Sequence, residues 1–174
     1  MSLETEIREW DQKSVAAITE IHADHAADPK IIDRLLSLAA ETELETGATW
    51  LIKHQLENKL AQLDQAQTLK LVALLPQLSG WEARLHCLQI FPFITLPREG
   101  GDLILRFVLD CSRDDNKFIR AWAYTGLHQL ALAHPDYRDQ ARLVLETAQD
   151  SERAASVKVR LRRALKQGFP GADA

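Results

Sequence analysis

Basic residues recur along this chain in similar settings. Lys53 follows Trp50-Leu51-Ile52, Arg84 follows Trp81-Glu82-Ala83, Arg120 follows Lys117-Phe118-Ile119, and Lys158 follows Ala155-Ser156-Val157. Cations repeated at one register of stacked helices form a line, and such a line suits an acidic protein segment or a phosphate backbone. The competing role is internal. A guanidinium that bonds the turn before its own helix, as Arg120 is placed to do with Asp114 or Asp115, ties neighbouring repeats together through charge-assisted hydrogen bonds. Trp50 and Trp81 each stand one helical turn before a cation of this series and share its face. Trp122 lies just beyond Arg120, where the faces diverge. An aromatic ring beside a cation is a frequent binding hot spot; it is equally a filler between helix layers. His54 and His86 sit close to Lys53 and Arg84 in sequence. The candidate lining of a binding face is therefore Trp50, Lys53, His54, Trp81, Arg84, His86, Arg120 and Trp122.

Other reactive side chains are less organised. On a helix, His22 and His25 of His22-Ala23-Asp24-His25-Ala26-Ala27-Asp28 share a face with Asp28, a possible N/O donor set for a divalent metal. Spacing fixes no further ligand, so these read as surface residues near a helix end and no metal site is assigned. Cys87 and Cys111 each fall on an apolar stripe and read as buried, inert thiols. Gly100-Gly101 stands alone without a phosphate-loop lysine, and HExxH, GxSxG and CxxC do not occur. No catalytic constellation and no cofactor motif is present, so enzyme activity is the less favoured expectation.

The elements that must position these residues are helices. Apolar residues recur with helical periodicity, as in Leu69, Leu71, Val72, Leu74, Leu75 and Leu78, and no strand-like alternation competes. Breakers at Asp28-Pro29, Thr46-Gly47, Ser79-Gly80, 97–101, 114–116 and His134-Pro135 place helices near 12–27, 30–41, 48–62, 65–78, 81–95, 102–112, 116–133, 136–149 and 151–167. These group as an N-terminal cap (1–29), helix pairs at 30–62, 65–95, 102–133 and 136–167, and a frayed tail (168–174). The cations of the series are spaced at a drifting interval in the thirties, as helix-pair repeats give. One pair cannot cover its own apolar face, so the expectation is that pairs stack around one continuous core.

The unit Asp114-Asp115-Asn116-Lys117-Phe118-Ile119-Arg120-Ala121-Trp122-Ala123, continuing to Leu127 and Leu130, resembles the HEAT-repeat (armadillo-like) α-solenoid family. It has that family's inter-helix Asp, then Ile-Arg, then small residues. Residues 150–165 resemble it less well, and the first two units match only in periodicity. The resemblance implies an all-α fold: a right-handed α–α superhelix of about four helix pairs with an N-terminal capping helix, forming a single domain. It implies no single activity.

Composition narrows the function. The chain has 174 residues, 46% hydrophobic and 26% charged, with a net charge of −4, the make-up of a folded globular domain. The acidic balance disfavours nonspecific nucleic-acid binding. It conceals a gradient, since residues 1–29 are acidic and 151–174 basic. No apolar run is long enough for a membrane span. The acidic N-terminus lacks an apolar signal region, so a cytoplasmic location is expected. The reading is a helical-repeat scaffold that presents a concave surface to a protein or peptide partner, as a monomer or weak oligomer. The alternative is a DNA-binding repair protein similar to the HEAT-like alkylpurine DNA glycosylases, with the tryptophans beside a lesion and Lys53, Arg84 and Arg120 on phosphates.

Overall fold

The structure, a computed structural model, describes residues 1–170. It is all-helical, with α1 (Leu3–Glu9), α2 (Val15–His25), α3 (Ile31–Leu38), α4 (Glu45–Glu57), α5 (Gln65–Leu74), α6 (Trp81–Ile90), α7 (Gly101–Cys111), α8 (Lys117–Ala133), α9 (Arg138–Ser151) and α10 (Ala155–Gln167). No strand occurs among the described residues. Chain contacts divide into two compact units, Met1–Ile94 and Thr95–Ala174. Among the described residues no helix is long and apolar enough to cross a membrane.

In the first unit α4 is central and packs on α2, α3 and α6, while α3 also meets α5. Its buried residues, including Ala48, Leu51, Ile52 and Leu56, occupy most of its circumference, as a helix surrounded by others requires. Local chemistry sets the helix ends. Asp64 and Gln67 form a reciprocal capping box at the start of α5, and Ser2 and Ser14 cap α1 and α2. Pro76 and Pro92 tighten the chain into short 3₁₀ turns after α5 and α6, because proline cannot continue the hydrogen-bond ladder.

In the second unit α8 is central, touching α7, α9 and α10. Ala121, Ala123 and Gly126 are buried along it with Ile119, Leu127 and Leu130; such small side chains let neighbouring helices approach closely. Asn116 caps α8 by accepting the Phe118 amide at 2.9 Å.

The structure differs from the sequence reading at both ends and at one supposed break. The cap is two helices rather than one, because the chain turns at Trp10–Ser14. There Gln12 takes a positive φ of 57°, and Trp10 Nε1 donates to the Ser14 carbonyl at 2.9 Å. Thr46-Gly47 does not break the chain but lies inside α4. Gly47 is needed for contact: a Cβ there would stand 2.6 Å from Ile7 Cγ2 on α1. At the other end, Gly168 to Pro170 do not fray. Phe169 is buried and lies against His128, with ring centroids 5.3 Å apart. The rest of the expected tail, 171–174, lies outside the described residues.

Candidate functional site

The sequence-predicted lining is distributed over both units. Trp50, Lys53, His54, Trp81, Arg84 and His86 belong to the first, Arg120 and Trp122 to the second.

In the first unit, Trp50 and His54 are one turn apart on α4 and stack at 5.0 Å. His22 of α2 meets the His54 ring edge-on at 4.7 Å, and its Nε2 lies 2.8 Å from the Gln55 side-chain amide. Burial, then the neighbouring His54, push His22 below the ordinary histidine range. Lys53 is largely covered, and its ammonium bonds Glu57 at 3.0 Å, a one-turn pair within α4. His86 reaches from α6 to Thr49 Oγ1 at 3.1 Å. Burial, with the nearby Lys53 charge, lowers its pKa to about 3, so it is a neutral packing group at neutral pH.

Trp81 differs from these. It is 48% exposed on the first turn of α6, a turn pinned from below. The buried carboxylate of Glu45 accepts from the Ser79 amide at 3.1 Å, the Ser79 hydroxyl at 2.9 Å and the Gly80 amide. Sequence reading missed Glu45 because nothing in its spacing distinguishes it from a surface acid at a helix start.

In the second unit Arg120 is committed to structure. Its Nε and Nη2 donate to Glu152 at 2.9 and 3.0 Å, and its Nη1 donates to the Asp114 and Asp115 carbonyls, each at 2.8 Å. Arg120 thus grips the backbone of the turn, and the Asp114 carboxylate accepts the Asn116 amide within it at 2.8 Å. Glu152 is buried and also accepts the Arg153 and Ala154 amides at the start of α10. The Arg120 guanidinium and these amides outweigh burial and lower the Glu152 pKa to about 2. Lys53 and Arg120 of the cation series thus each have a carboxylate partner within the chain.

The histidine and acid cluster near the N-terminus is also dispersed among partners. His25 pairs with Glu6, while Asp28 accepts from the Lys30 amide and the Arg34 side chain. Among the described residues no group of three His, Cys, Asp or Glu is placed to hold a metal. Glu6, Glu9, Asp11, Glu20 and Asp24 instead line an open acidic cleft of about 540 Å³ beside Trp10. Cys87 and Cys111 are both buried.

Trp122 leads to residues the sequence reading did not single out. The Arg160 guanidinium of α10 lies over the Trp122 ring, 4.0 Å from its centroid. Its Nη1 also donates to Thr125 Oγ1 at 3.3 Å. Arg160 follows Trp122 by the interval that separates Lys158 from Arg120, so the repeat itself encoded this juxtaposition. Only the pairing of α8 with α10 makes the two side chains meet.

Comparison with known proteins finds no matching family model, curated protein or solved structure.

Proposed function

We propose that the chain is a non-enzymatic binding module built from stacked HEAT-like helix pairs and that its first unit docks a protein or peptide partner on the surface around Trp81. The repeat reading is supported by how helices pair within each unit: α3 with α5 and α4 with α6 in the first, α8 with α10 in the second. That is the pattern expected when like helices of successive pairs stack. The observation that carries the docking reading is Trp81 itself. A large ring stands half exposed on a turn whose amides and serine hydroxyl are clamped by the buried Glu45. Such a ring loses little further freedom when a partner covers it, so more of the burial energy remains as affinity.

Affinity capture from a lysate of the source organism tests this. Wild type should retain a defined partner that Trp81→Ala loses. Leu143→Ala, at an exposed residue of α9, should retain it. Equal capture by wild type and Trp81→Ala would overturn the reading. Salt-sensitive retention on a duplex-DNA column would instead favour the repair-protein alternative. The pairing of Lys53 and Arg120 with internal carboxylates weakens that alternative.

A further inference from the structure

Beside the Arg160–Trp122 contact lies a small cavity of about 80 Å³, lined by Thr125, His128, Arg160, Arg163, Ala164 and Gln167. At ~30 Å³ per water molecule, it has room for a group of a few heavy atoms, not for a sugar or a base. Its walls bring together two guanidinium groups and a carboxamide and contain no carboxylate. Among the described residues neither Arg160 nor Arg163 has an acidic side chain in ion-pair range. Some other arginines of the chain do: Arg8, Arg34, Arg98 and Arg120 have carboxylate partners.

We propose that this cavity in the second unit binds a tetrahedral oxyanion, a phosphoryl group, held between Arg160 and Arg163. Arg160 is built in rather than loose on the surface. The Trp122 ring supports one face of its guanidinium, and the Thr125 hydroxyl takes one of its hydrogens. That hydroxyl gives its own hydrogen to the Ala121 carbonyl at 3.2 Å, so Thr125 aims Arg160 and is a positioning residue. The remaining guanidinium hydrogens form the planar, multi-donor fork that suits phosphate oxygens. Burial, and then the like charge of Arg163, lower the pKa of Arg160. An anion between the two groups relieves that repulsion. His128, another lining residue, is itself held: it donates from Nε2 to the Gly168 carbonyl at 2.8 Å and rests on Phe169. The carbonyl end of α10 opposes an anion with roughly half an elementary charge, against the two full charges of the arginines.

The test is calorimetric titration of the full chain with inorganic phosphate at constant ionic strength, alongside a phosphoserine peptide and its unphosphorylated form. Wild type should show saturable one-site binding of phosphate. Arg160→Gln and Arg163→Gln should each weaken it by about tenfold or more, the effect of losing a charge-assisted contact. Arg162→Gln should leave it unchanged within about twofold, because that guanidinium bonds its own helix at the Lys158 carbonyl and bulk charge is screened at that ionic strength. Thr125→Val should weaken binding, and combining it with Arg160→Gln should add little, since the two act through one group. Tighter binding of the phosphopeptide than of phosphate identifies a phosphorylated segment as the source; equal affinity identifies the free ion. Non-saturable binding by wild type, or equal losses in Arg162→Gln and Arg163→Gln, would overturn the site. Far-UV circular dichroism checks that each variant is folded. The outcome is independent of Trp81, which lies in the other unit.

Discussion

Replacing Glu152 with glutamine should destabilise the second unit in a pH-dependent way whose size follows from the geometry. The carboxylate holds both nitrogens of the Arg120 fork and two backbone amides at the start of α10. Its pKa is about 2 when folded and about 4.3 in an unfolded chain. At ~1.36 kcal/mol per unit, ionisation of this one group contributes about 3 kcal/mol of stability at neutral pH. Because the folded value is depressed, the contribution is complete above the unfolded pKa and disappears as pH falls through the folded one. About half of it should remain near pH 3 and very little at pH 2. Glu152→Gln keeps the shape and one acceptor oxygen but has no charge to lose. Urea unfolding of both proteins at pH 7, 4 and 3, followed by circular dichroism, gives the difference between them. That difference cancels every other titrating group and should shrink from about 3 to about 1.5 kcal/mol across the series. Equal stability at pH 7, or a gap that stays constant down to pH 3, would refute the assignment of Glu152 as the ionic tie between α8 and α10.

Two further outcomes follow from buried contacts. His86 has its pKa lowered to about 3, so the unfolded chain takes up the proton first. Stability should therefore fall between pH 6.5 and 3, by up to about 5 kcal/mol from this group; His86→Asn, which keeps a donor for Thr49 but does not titrate, should flatten that part of a urea pH series. Gly47→Ala should cost about 1–3 kcal/mol, because its methyl would meet Ile7 Cγ2 at 2.6 Å. Faster amide exchange in α1 than in α3 would locate the damage at the α1–α4 contact.

What could be seen in the sequence was the order of the helices, and the reasons are local. From α3 onward apolar residues recur at helical spacing, and several helices are bounded by proline, glycine or capping residues, as α5 is by Asp64 and α8 by Asn116, so one window of sequence often holds both the period and the stop. α1 escaped because its seven residues hold too few apolar positions, Leu3 and Ile7 buried among them, to show a period. Gly47 was misread because glycine marks a break and a close approach equally well, and only the position of Ile7 distinguishes them. The candidate residues divided for a similar reason. Trp122 meets a cation, Arg160, that lies in another helix and that its own sequence neighbourhood did not supply. Lys53 and Arg120 are satisfied by Glu57 and Glu152, and the Arg120 partner lies in the next helix pair, where spacing within one motif cannot reveal it.

The two buried acids suggest how such a chain separates stability from recognition. Glu45 and Glu152 both gather donors from the residues that lead into a helix, α6 and α10. Each is a carboxylate placed at the positive pole of a helix and removed from water, where its hydrogen bonds are strongest and least screened. Where such an acid is supplied, the cation beside it becomes part of the framework, as Arg120 has. One further turn along α10 the described residues supply no acid, and Arg160 rests on an aromatic ring with Arg163 beside it. The two guanidinium groups repel, and Arg160 is partly desolvated. The charge that the framework leaves uncompensated therefore marks where a ligand from outside would complete the electrostatics, and that is the position to which the phosphate titration is directed.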